Sequence, residues 1–141
     1  MKSLTRRLTW ALALLVVCAI SIWFALAFTG VLDSGRFEII QSLTISPHRI
    51  AMLVRRSDNT ALSGDTYFVV IDTHLYTGNE LKRAFHSSKP VFVAGRAGLT
   101  IHADGPNSLA IKCESCGLTK GLIEKQKFSF KGTNIRYVGF P

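Results

Sequence analysis

The chain has 141 residues, 48% of them hydrophobic and 18% charged, and a net charge of +8. That length holds one modest core beside a short appendage and excludes a multi-domain architecture within the chain. Lys2, Arg6 and Arg7 supply three of the 17 basic residues, leaving 14 against nine acidic ones, or +5, spread over the remainder without a long basic block.

The first element in chain order is an apolar run. Leu8 to Leu32 contains 25 residues without a charge. As a helix rising about 1.5 Å per residue it reaches about 38 Å, more than a hydrocarbon core of about 30 Å. The expected organisation is a cytoplasmic leader over 1–7, a transmembrane helix over 8–32, a juxtamembrane segment with the first strand over 33–42, and an extracytoplasmic β-domain over 43–141. Basic residues precede the run, whereas Asp33, Arg36 and Glu38 follow it. The positive-inside bias therefore places the N-terminus in the cytoplasm and residues 33–141 outside it. Trp10 and Trp23 suit the two interfaces. A signal peptide cleaved after Ala25-Leu26-Ala27 is the alternative, but its apolar core would exceed the usual length of about 7–15 residues. Ala11, Cys18 and Ala25 recur every seven residues, a small-residue stripe suited to a homodimer through this helix.

Beyond the run, β-patterning dominates. Phe37, Ile39, Leu43 and Ile45 alternate at period two and are expected on one side of a strand. Arg49 to Arg56 and Thr66 to Asp72 read as a hairpin around the polar stretch Ser57–Asp65. In the first of these, Ile50, Met52 and Val54 are expected inward, because the other set ends in Arg55. Asn79 is the expected cap of a short helix over Glu80 to Phe85. Further strands are expected at Pro90 to Ala94, Leu99 to Ala103, Ser108 to Cys113 and Ile135 to Phe140, with a turn at Asp104-Gly105-Pro106-Asn107. The fold class is mainly β: an N-terminal transmembrane helix, then a small, mostly antiparallel domain of about seven strands, either a sandwich or a partly open barrel.

Ser46-Pro47-His48-Arg49-Ile50-Ala51-Met52-Leu53-Val54, followed by Tyr67-Phe68-Val69-Val70-Ile71-Asp72, resembles the S-P-D-G-x-x-I-A hairpin of periplasmic β-propeller blades. It is also similar to the hairpin that opens a class of small single-pass bacterial envelope proteins of unknown function. Leu99 to Lys112 matches the second segment of those proteins, and Ile135-Arg136-Tyr137 their closing strand. His48-Arg49 stands where the pattern has Asp-Gly. Two such units are too few for a propeller, which needs at least about four blades. The resemblance implies a small envelope β-domain and carries no active site.

Chemistry-bearing motifs are sparse. Cys113-Glu114-Ser115-Cys116 is a C-x-x-C, readable as a local disulfide, half a zinc knuckle or a redox pair. An oxidising compartment favours the disulfide between Cys113 and Cys116. Structural zinc needs four ligands, and the four histidines are dispersed, so neither a metal nor another cofactor is expected. Asp72 and His74 at i, i+2 would share a strand face. Arg55 and Arg56, beside the Ser57–Asp65 loop, are the candidate partner-binding residues. No nucleophile elbow, zincin helix or phosphate-cradling loop is present. The expected function is a membrane-anchored, non-enzymatic binding or assembly protein of the envelope, a toxin-neutralising immunity protein being one case. Its expected partners are an envelope protein and the membrane, not nucleic acid. The alternative is a thiol-disulfide or metal-dependent activity centred on the C-x-x-C.

Overall fold

The computed structural model describes residues 2–28, 34–58, 64–95, 98–114 and 123–140, with the side chains of the first helix described over 10–26. The chain divides into two units, 1–33 and 34–141. In the first, helix α1 runs Lys2–Phe28 and takes in the basic leader as well as most of the apolar run. Every described side chain on it is exposed within its unit, including Ala11, Cys18 and Ala25. The Ser21 hydroxyl donates to the Val17 carbonyl at 2.9 Å, so this polar group is satisfied inside the helix. Among the described residues, no helix is long and apolar enough to cross a membrane. The expected span over 8–32 extends past them at its C-terminal end, and the side chains of its first two residues are not described.

The second unit is built on two sheets. Strands β1 (Arg36–Ser46), β2 (Arg49–Ser57), β3 (Thr66–Asp72), β4 (Phe92–Ala94) and β7 (Ile123–Gln126) form a five-stranded sheet in that order, antiparallel throughout. Strands β5 (Leu99–Ala103), β6 (Ser108–Cys113), β9 (Thr133–Val138) and β8 (Ser129–Phe130) form a four-stranded sheet in which β6 and β9 are parallel. The mainly β, mostly antiparallel class is therefore correct. β7 and β8 were not apparent in the sequence. They are short, and the segment reads as polar and basic, so no apolar alternation marks it.

The sheets stack over one core containing Leu53, Val69 and Phe92 from the first and Ile101, Leu109, Ile111 and Ile135 from the second. The other face of the five-stranded sheet is covered by helix α2 (Gly78–Phe85), whose Leu81 and Ala84 pack with Met52, Val54, Phe68 and Val70. Both faces of β2 and β3 are thus buried, and residues 51–54 and 67–71 are apolar without a break. This corrects the choice between the two faces of β2. Ala51 and Leu53 enter the inter-sheet core while Met52 and Val54 lie under the helix, and both sets are 0–1% exposed.

A second correction concerns β1. Its pairing with β2 skips Ile40 between Ile39 and Gln41. The extra residue reverses the facing of everything after it. Phe37 and Ile39 therefore pack on the α2 side, whereas Leu43 and Ile45 join the inter-sheet core. Gln41, also turned inward, closes the seam between the sheets. Its amide nitrogen donates to the Ile101 carbonyl at 2.7 Å, and its amide oxygen accepts from the Ile101 N–H at 2.9 Å. One side chain thus takes the place of a strand neighbour on the edge of β5. At the opposite corner the chain passes from β7 to β8 across residues 127–128, with the Lys127 N–H donating to the Val91 carbonyl at 2.9 Å. The result is two stacked sheets joined at one corner and clamped at one seam, not a closed barrel.

Candidate functional site

β3 ends at Asp72, and the chain then turns outward to start α2. Thr77 is the residue that caps this helix, not Asn79. The Glu80 carboxylate accepts from the Thr77 N–H at 2.8 Å and its hydroxyl at 3.0 Å, and contacts the His74 ring at 3.1 Å. These bonds, the backbone one foremost, hold the Glu80 carboxyl down at about 2. After the helix, Ser87 satisfies the Ala84 carbonyl through both its N–H and its hydroxyl. The chain then returns through Lys89 to β4.

Between the strand end, the helix and this return lies an open cleft of about 260 Å³, lined by His74, Tyr76, Glu80, Arg83, Ser87 and Lys89 among others. Its floor is braced by a hydrogen-bonded chain that continues beneath it: the Lys89 ammonium donates to the Tyr76 hydroxyl at 2.9 Å, and that hydroxyl donates to Asp72. Lys89 also stands 3.6 Å from Asp72. Burial and the Asp72 carboxylate push the Tyr76 phenol up. The hydrogen bond to Tyr76 raises Lys89. Desolvation opposes ionisation of Asp72, yet Tyr76, the Thr73 N–H and Lys89 together hold it below its ordinary value. The three groups are driven away from neutral pH as a fixed ammonium, phenol and carboxylate, which suits a braced floor and not a proton relay.

The cleft's carboxylates are thus occupied internally, whereas the exposed Arg83 guanidinium has no hydrogen-bond or ion-pair partner among the described residues. Asp72 and His74 do not share a strand face. The strand stops at Asp72, so period two no longer applies, and the two residues take separate partners in Tyr76 and Glu80. Tyr76, Glu80, Arg83 and Lys89 were missed because they converge only when α2 folds back on the sheet. The Thr77-x-x-Glu80 capping pattern was the available signal.

Arg55 and Arg56 lie elsewhere and are engaged. Arg55 faces Glu38 across the β1–β2 ladder at 2.5 Å and stands 3.9 Å from Asp65. Arg56 pairs with Asp58 at 2.7 Å and stacks over the Phe85 ring at 5.0 Å. Its side chain is 17% exposed, so the second of the two candidate partner-binding arginines is largely covered by its own chain. The loop they border lies outside the described residues over 59–63. Cys113 ends β6 in the inter-sheet core, 3% exposed, and its expected partner Cys116 lies outside the described residues. Comparison with known proteins finds no matching family model, no matching curated protein and no matching solved structure.

Proposed function

We propose that the protein is a membrane-anchored, non-enzymatic binding module of the bacterial envelope. In this reading the N-terminus is cytoplasmic, the β-domain is periplasmic, and the α2 cleft is the surface that takes an acidic protein partner. The anchor rests on the 25 uncharged residues from Leu8 to Leu32 behind a basic leader. The observation that carries the binding role is which of the cleft's charged groups already have partners. Its acids already accept hydrogen bonds from within the fold, while Arg83, a residue suited to bidentate capture of a carboxylate, has no partner among the described residues. An immunity protein that neutralises a toxin is one form such a module takes. Arg55 and Arg56 are set aside as the partner surface because each is engaged by residues of its own chain.

Two measurements test this. A reporter active only in the periplasm, fused after Pro141, should be active, and inactivity would refute the topology. Arg83→Glu should leave the melting temperature nearly unchanged, as exposed charge substitutions usually do. It should also sharply reduce the partner recovered by cross-linking in intact envelopes. Equal recovery from wild type and variant would refute the cleft as the binding surface.

A further inference from the structure

A second cationic feature lies at the α2–β4 connection and uses none of the residues that carry the binding proposal. Lys125 of β7 and Lys127 just beyond it both donate to a single acceptor, the carbonyl of Ser88, at 3.2 and 2.9 Å. Their ammonium groups are therefore no more than about 6 Å apart, and neither has a carboxylate partner among the described residues. One neutral oxygen is a poor counter-ion for two positive charges. The mutual repulsion adds to desolvation in lowering Lys125.

The frame beneath the pair is rigid. Lys127 is pinned on both sides of its peptide backbone, its N–H donating to the Val91 carbonyl at 2.9 Å and its carbonyl accepting from the Tyr137 hydroxyl at 2.5 Å. Ser88 is held between the Ser87 bonds to Ala84 and the Lys89 N–H donating to the Ser87 hydroxyl at 3.1 Å. The Lys127 ammonium is steadied further over the Phe130 ring at 4.9 Å. Preorganised donors with no anion of their own bind an external one without the cost of ordering. Beside them, Phe128 stands 70% exposed.

We propose that Lys125 and Lys127, converging on the Ser88 carbonyl, form a binding site for a phosphate-class oxyanion. A phosphate group presents acceptor oxygens in tetrahedral directions, so each of two ammoniums at this separation can take an oxygen of its own, which a planar carboxylate serves less well. Free phosphate and the phosphodiester of a lipid headgroup share this chemistry, and Phe128 would add apolar contact for the latter.

The full chain in neutral detergent micelles is titrated with inorganic phosphate at constant ionic strength, and binding is followed by calorimetry and by the Nζ resonances of 15N-labelled lysine. A second titration uses a short-chain phosphatidylglycerol in the same micelles. Wild type should bind at least one of the two saturably, with the Lys125 and Lys127 signals moving. Lys125→Gln/Lys127→Gln should bind it about tenfold more weakly or worse, the loss expected on removing charge-assisted hydrogen bonds. The unliganded melting temperature should not fall, since a repulsion has been removed. Arg83→Glu should leave this binding unchanged, so failure of the cleft and failure of this site are separable. Binding of phosphate identifies a free anion as sufficient, and binding of the lipid alone identifies the headgroup. No binding of either, or equal binding by the double variant, overturns the site. If the double variant does not fold, the single Lys125→Gln and Lys127→Gln variants carry the same comparison.

Discussion

Gln41 shows how much can rest on one amide. Ile101 is fully buried, and both its backbone groups are satisfied from β1 by that side chain. Gln41→Leu keeps the bulk and removes both partners, and each backbone group left unpaired costs about 1–3 kcal/mol. Chemical denaturation should therefore show a loss of about 2 kcal/mol or more, with faster amide exchange at Ile101. Glu80 behaves differently because it is charged and lies at the surface. Its folded value of about 2 lies below the ordinary 4.5. A depressed carboxylate contributes stability above its unfolded value and loses it as pH falls through the folded one. Acid titration should thus destabilise wild type more steeply than Glu80→Gln between about pH 4.5 and 2, and the two curves should run parallel above pH 6.

At the scale of elements, the double burial of the first sheet determines which substitutions the domain tolerates. Leu53 and Val54 point to opposite faces, yet both are essentially inaccessible. A lone carboxylate is strongly destabilising in either place. Leu53→Asp and Val54→Asp should both abolish the cooperative thermal transition, whereas a sheet with one wet face would tolerate one of them. Helix α2 makes the difference. Its Phe85 packs with Phe68 at 5.1 Å and Phe37 at 5.9 Å, sealing the outer face. The same helix carries Arg83 into the cleft, so the element that completes the core also builds the candidate site.

For the molecule as a whole, the β-domain's closing strand and its cysteine are coupled. β9 runs parallel to β6 and brings Gly139, at φ +79°, against the Cys113 carbonyl, where a Cβ would lie 2.2 Å away. Cys113 therefore sits beneath the end of the chain and away from solvent, a poor place for a reactive thiol. We expect it to be paired with Cys116 in the native protein. The loop is short, so the stabilisation falls at the low end of about 2–4 kcal/mol. Alkylation of freshly isolated protein followed by mass spectrometry should label Cys18 alone, after denaturation without reductant. Labelling of Cys113 and Cys116 would refute the bridge.

Much of this was legible in the residues. Runs rich in β-branched and other apolar side chains located β2, β3, β5 and β6, because those strands carry their own apolar signal. The Asp104–Asn107 turn was equally plain, with Gly105 and Asn107 at positive φ. The uncharged N-terminal run likewise follows from composition alone. Tertiary structure decided what depends on neighbours distant in the chain. Periodicity counts residues and cannot see the bulge at Ile40, which exists because β1 must serve α2 at one end and the second sheet at the other. An all-apolar strand does not say which face meets which partner until the helix and the second sheet are both in place. Side chains that converge from β3, α2 and the chain beyond it, such as Asp72, Arg83 and Lys89, share no sequence spacing. Only the fold brings them to one cleft, and only the fold shows which of their charges are already spent.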